Sequence, residues 1–195
     1  MIRLPRRFLP TVLVAAFSIV VLTPPVVAKT ATHGSSQKKK KAVQSEDKKA
    51  KPEQIATFGD WGAFLAGKGK SKTCYALAQP KNREPANLHR DPAYIFISSR
   101  PGENIRNEVS IIMGFPMKDS GDAQADIGTT HFDLVSKGNN AWVKNPAKEG
   151  ELVAAMKKGA KLVIKAPSVR GNVTTDSYSL HGLSQALERV DKECR

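Results

Sequence analysis

The chain has 195 residues, of which 40% are hydrophobic and 6% aromatic, enough for one domain with a real core and too apolar for a wholly disordered chain. Only two cysteines occur, which excludes a disulfide-dense scaffold and a C-x-x-C redox motif. The formal net charge of +13 is concentrated near the start and says little about the folded part.

The first 28 residues have the order of a secretory signal peptide. A basic start, Met1 to Arg7, precedes the apolar run "TVLVAAFSIVVL" from Thr11 to Leu22. The proline pair Pro24-Pro25 then leads to a V-x-A cleavage site at Val26 to Ala28. The apolar run is shorter than the roughly 20 residues a spanning helix needs, so a cleaved leader is expected rather than an anchor. No transmembrane span is expected after cleavage, and the mature protein is placed in the periplasm or secreted.

Lys29 to Pro52 holds eight lysines against Glu46 and Asp47 and almost no large apolar residue. Such a segment cannot bury enough surface to offset its ordering entropy, so residues 29–56 read as a disordered tether and 57–195 as the folded domain. The run Lys38, Lys39, Lys40 and Lys41 is a candidate site for an anionic surface polymer of the envelope. A solvated spacer with no specific ligand is the plainer reading. Aromatic residues to stack bases are missing from it, so no nucleic-acid partner is expected.

The domain reads as about eight short strands. "WGAFLAG", "KTCYALAQ", "AYIFISSR" and "NEVSIIMGF" are bounded by turn residues. "THFDLVSKGNNAWVK" places two strands around Gly138-Asn139-Asn140, and "KLVIKAP" and "NVTTDSYSL" flank "SVRG". This predicts an antiparallel sandwich or barrel. Two helices interrupt it. Lys148 to Lys158 puts Leu152, Ala155 and Met156 on one face, with Gly159 as C-cap. The second begins near Ser184 as N-cap and carries Leu183, Leu187, Val190 and Cys194 on one stripe.

In an exported protein Cys74 and Cys194 are expected to pair, closing a loop of about 120 residues. An intermolecular bridge and two free thiols are the alternatives. Signs of catalysis are weak. Histidines 33, 89, 131 and 181 form no metal-ligand spacing, and no G-x-S-x-G elbow occurs. His131 and Asp133 share a strand face, and Asp119, Asp122 and Asp126 loosely suggest a calcium loop without its full spacing. Polar side chains at neighbouring exposed positions are common, and neither reading outweighs that. Trp61 and Trp142 are both expected in the core.

The segments "FGDWGAF", "CYALAQPK", "IGTTHFDLVSKGNNAWV" and "LVAAMKKGAKLVIKAPSVRGNVTTDSYSLHGLSQAL" resemble the invasion-associated locus B family of α-proteobacteria over roughly Phe58 to Cys194. The resemblance implies an exported periplasmic or envelope protein with an immunoglobulin-like β-sandwich. It also implies a link, in some pathogenic members, to invasion of host cells and so to a host surface. It supplies no catalytic residues and no cofactor. The expectation is a non-enzymatic role in binding or organising an envelope component, the alternative being a periplasmic hydrolase with an unrecognised site.

Overall fold

The computed structural model describes residues 51–119 and 121–195. The leader and most of the lysine-rich tether, including Lys38 to Lys41, lie outside the described residues.

The described residues are mainly β, antiparallel and sandwich-like, with two short helices, one of them C-terminal. Among the described residues eleven strands form: β1 (Glu53–Phe58), β2 (Trp61–Ala66), β3 (Thr73–Ala78), β4 (Asn82–Glu84), β5 (Tyr94–Arg100), β6 (Ile105–Ile112), β7 (Ala123–Ile127), β8 (Thr130–Lys137), β9 (Asn140–Val143), β10 (Lys161–Pro167) and β11 (Val173–Ser179). The helices are α1 (Glu149–Lys158) and α2 (Leu183–Glu193). The eight expected strands are all present, and β1, β4 and β7 are additional. β1 takes the folded domain back to Glu53, into residues 53–56 assigned above to the tether.

The strands run in the order β1-β2-β3-β5-β6-β9-β8-β7-β10-β11-β4. This single sheet curls over on itself. The short link from β3 to β4 carries the chain from one half to the other, and Lys81 donates its backbone N–H to Ser177 O at 2.7 Å. The Trp61 indole donates to Ser179 O at 3.0 Å, joining β2 to the opposite half. Trp61 is fully buried, as expected.

Strand alternation decides what faces inward. On β3, Cys74, Ala76 and Ala78 are buried; on β5 and β6, so are Ile95, Ile97, Val109 and Ile111. α2 lies against β1, β2 and β3 and buries Leu183, Ala186, Leu187, Val190 and Cys194 on one stripe. The stripe read from the sequence is the one the helix uses. Cys194 is bonded to Cys74, across 120 residues of chain. Lys72 and Arg106 donate side-chain hydrogen bonds to Glu193 O and Cys194 O, so two cations meet the carbonyl end of the helix.

The Gly159 C-cap of α1 is as expected, whereas the start of α2 differs, for a packing reason. α2 is capped by Gly182 rather than Ser184. Gly182 has φ +93°, and a Cβ there would lie 1.9 Å from Phe58 O, so only glycine lets the helix approach β1. Gly159 does follow α1, with its N–H on Ala155 O, but its backbone is extended. Its lack of a side chain serves close contact instead, since a Cβ would sit 2.6 Å from Ile127 Cγ2. In α1 the buried residues are Leu152, Val153 and Met156, with Ala155 half-buried.

Replacing both Cys74 and Cys194 with Ser is expected to lower the free energy of unfolding by up to about 5 kcal/mol, the chain-entropy value for so long a loop. Urea unfolding with and without reductant measures it. A midpoint that reduction does not move would mean that packing alone holds α2.

Candidate binding face

The inward register of the sheet fixes an equally regular outward set. Cross-strand pairing places Gly62, Leu77, Phe96, Ser110, Trp142 and Val135 in one row across β2, β3, β5, β6, β9 and β8. Phe64 and Tyr75 form the neighbouring pair on one side, and Tyr94 and Ile112 on the other. All the large side chains of this set are half-buried except Trp142, which is 36% exposed. Trp142 is therefore not core as expected. Trp142 belongs to a two-residue hairpin at Gly138-Asn139, and its position pairs with the outward Ser110 and Val135.

The rings are organised. Phe64 and Tyr75 stack with centroids 5.2 Å apart and planes 7° from parallel. Tyr75 and Phe96 follow at 5.7 Å and 52°, then Tyr94 and Phe96 at 6.1 Å and 49°. Such offset and tilted pairs are the favoured aromatic geometries. Burial raises the Tyr75 phenol above its ordinary pKa, so it stays a neutral hydrogen-bonding group at physiological pH.

A depression of about 400 Å³ adjoins this face, lined among others by Gln54, Thr57, Asp60, Phe64, Leu77 and Gln79. The Gln54 amide donates to Thr57 Oγ1 at 2.7 Å, which orients it. Lys81 Nζ lies 2.5 Å from Asp60 Oδ1, and this hydrogen bond, with a second from Ser179, holds the Asp60 carboxyl below the usual range.

The other half of the outward surface is polar. Here His131 meets Asp126, not Asp133: Nδ1 is 2.7 Å from Asp126 Oδ1, because the β7–β8 register sets these two residues opposite each other. Lys165 Nζ lies 2.9 Å from the other carboxylate oxygen. Burial by itself would raise the Asp126 carboxyl, but the His131 and Lys165 hydrogen bonds carry it below its ordinary value. Asp126 and Lys165 of this triad line an open groove of about 920 Å³ between α1 and strands β7 and β10, with Glu151, Lys158 and Lys161. Asp119 stands apart and accepts the Gly138 N–H at 3.1 Å. Asp119 and Asp126 thus do different work, and among the described residues no group of three His, Cys, Asp or Glu is placed to hold a metal ion.

One charged cluster was not anticipated. Asp176 points inward from β11 and is fully buried. Arg83 Nε donates to its Oδ2 at 3.0 Å and Arg90 Nη1 to its Oδ1 at 3.2 Å. Arg83 also reaches Asp91 O and Met113 O at 2.7 Å, and Arg90 reaches Pro85 O at 2.9 Å. Burial pushes the Asp176 carboxyl up and the two guanidiniums oppose it. With their donors spent on backbone carbonyls, the arginines clamp the 79–93 segment to the sheet. Neutral Asn82-Arg83-Glu84 offered no strand pattern, and a carboxylate in "TTDSYS" offered no sign of burial.

Among the described residues no helix is long and apolar enough to cross a membrane. Neither a family profile nor a curated protein nor a solved structure matches the chain.

Two substitutions separate these charge clusters. Asp176→Asn leaves two buried guanidiniums uncompensated and is expected to cost roughly 3–5 kcal/mol in chemical denaturation; a loss below about 1 kcal/mol would mean the clamp is dispensable. Asp126→Asn should cost roughly 1 kcal/mol at neutral pH. Because the folded-state pKa of Asp126 lies below its unfolded value of 3.8, its contribution is present above that value and is lost as pH falls through the folded one. Melting curves of Asp126→Asn and wild type should therefore differ at about pH 7 and converge near about pH 2.

Proposed function

We propose that this is an exported envelope protein of the invasion-associated locus B family, with a non-enzymatic binding role that supports invasion of host cells where its organism meets a host. The observation that carries the binding role is the outward aromatic row. A soluble sheet face exposed to water ordinarily alternates polar residues outward, yet β2, β3, β5, β6 and β9 place rings and aliphatic side chains there. The opposite half carries lysines, threonines, serines and aspartates at the equivalent positions. Export is supported by the leader-like order of the first 28 residues and by the Cys74–Cys194 bond, which persists in an oxidising compartment.

Export has a direct readout. Protein recovered from osmotic-shock fluid, left unreduced and treated with a maleimide, should have the intact mass of a chain beginning at Lys29 with no added label. A retained leader or two labels would overturn it. For the binding role, the intact protein used as bait on detergent-solubilised envelopes should retain a specific component at about 150 mM salt, where weak surface electrostatics is screened. Recovery no greater than from a blank resin would remove that role.

A further inference from the structure

We propose that the groove between α1 and strands β7 and β10 docks an extended acidic segment of a partner polypeptide. This surface lies on the opposite half of the sheet from the aromatic row, so the two binding roles stand or fall separately. The groove has a local cause. The β7–β10 ladder stops at Asp126 and Val163. Just beyond it the end of α1 sits against the last residue of β7, since a Cβ at Gly159 would lie 2.6 Å from Ile127 Cγ2. The trough that results, about 920 Å³, has a small apolar lining of Ile127, Ala154, Ala155, Ala160 and Val163. Sites for small molecules enclose most of their ligand. A groove this open does not, so its occupant is part of a longer chain.

Charge selects the occupant. Lys158 from α1 and Lys161 and Lys165 from β10 line the groove, with Asp126 and Glu151. Both carboxylates are already matched: Lys165 Nζ lies 2.9 Å from Asp126 Oδ2, and Lys148 Nζ lies 2.9 Å from Glu151 Oε1. Among the described residues Lys158 and Lys161 enter no ion pair. Across β10 the register sets Ser179, Ser177 and Thr175 opposite Lys161, Val163 and Lys165, none of them charged. Asp60, which bonds to Ser179, is matched by Lys81. The groove thus holds two cations in excess. Lys158 complements the carbonyl end of α1, as a last-turn lysine does; Lys161 stands on the facing strand and has no such partner. Spacing then favours a peptide. Lys161, Val163 and Lys165 alternate outward as exposed, half-buried and exposed. At about 3.3 Å per residue the two lysines are about 13 Å apart, with an apolar side chain between them. An extended peptide laid along β10 repeats at the same interval, so acidic residues four apart meet the lysines and an apolar residue midway meets Val163. A polysaccharide or nucleic acid finds no aromatic ring in this lining to stack upon, and a flat lipid surface does not enter a groove.

Fluorescence anisotropy of a labelled peptide of repeating Glu-Ser-Val-Ser units, titrated with the intact protein, tests this; heparin and anionic phospholipid vesicles serve as the other polyanions. The peptide should bind, and its affinity should fall about tenfold or more between about 0.05 and 0.5 M salt. Lys158→Glu combined with Lys161→Glu should weaken binding about tenfold or more and shift the preference to a Lys-Ser-Val-Ser peptide, a gain that misfolding would not produce. Ala154→Phe fills the groove without altering its charge and should weaken the acidic peptide about as much. Lys137→Glu combined with Lys144→Glu, on the aromatic half, should leave it unchanged. Circular dichroism and an intact disulfide confirm that each variant is folded. No binding of the acidic peptide, binding indifferent to the groove variants, or an unchanged preference after charge reversal would overturn the proposal. So would binding of heparin or vesicles alone, which would make the lysines a general polyanion site. In every one of these cases retention of an envelope component by the bait would leave the aromatic face with its role.

Discussion

The bond between Cys74 and Cys194 sets the parity of the sheet. Strand side chains alternate, so a covalent link that draws Cys74 inward forces Tyr75 outward, and pairing transmits that choice from strand to strand. A slip of one residue in β3 would pull the crosslinked sulfur away from α2 and turn Tyr75 into the core. Helix, disulfide and aromatic face are thus one arrangement. α2 supplies the inner layer that β1 to β3 lack, and Gly182 permits the close approach that this needs.

The two halves of the curled sheet divide the work. One half has apolar residues on both sides, the inner set packed under the helices and the outer set half-buried. The other half is apolar inside only and carries its charge outside, with Asp126 shared between His131 and Lys165. Asp176 with its two arginines is the exception, a buried charge used to fasten a long connection. Such a cluster is a weak source of net stability but a costly one to break, which suits a closure that must form in one way only.

Much of the fold was legible in the residues. Eight strands announced themselves by β-branched and aromatic density between turn signals, and the α2 stripe ending in Cys194 was plain at helical spacing. The missed strands have weak local signals. β7, "AQADI", is rich in residues with low strand propensity and owes its state to pairing on both sides with β8 and β10. β4 is three polar residues held by Asp176, and β1 follows directly on a polar segment. The binding face was hidden for a different reason. In "CYALA" and "AYIFIS" apolar residues occupy both parities, so the pattern does not say which set faces the core. The His131 partner depended on cross-strand register, which lies outside the reach of spacing within one strand.

The order of the elements along the chain has a consequence for how the protein is made. All eleven described strands precede α2, so a chain emerging N-terminus first, whether from synthesis or across a membrane, exposes β2, β3 and β5 with apolar side chains front and back before their covering helix follows. That interval invites self-association. A holdase that shields nascent sheet until the helix arrives would govern yield more than the final stability of the domain does.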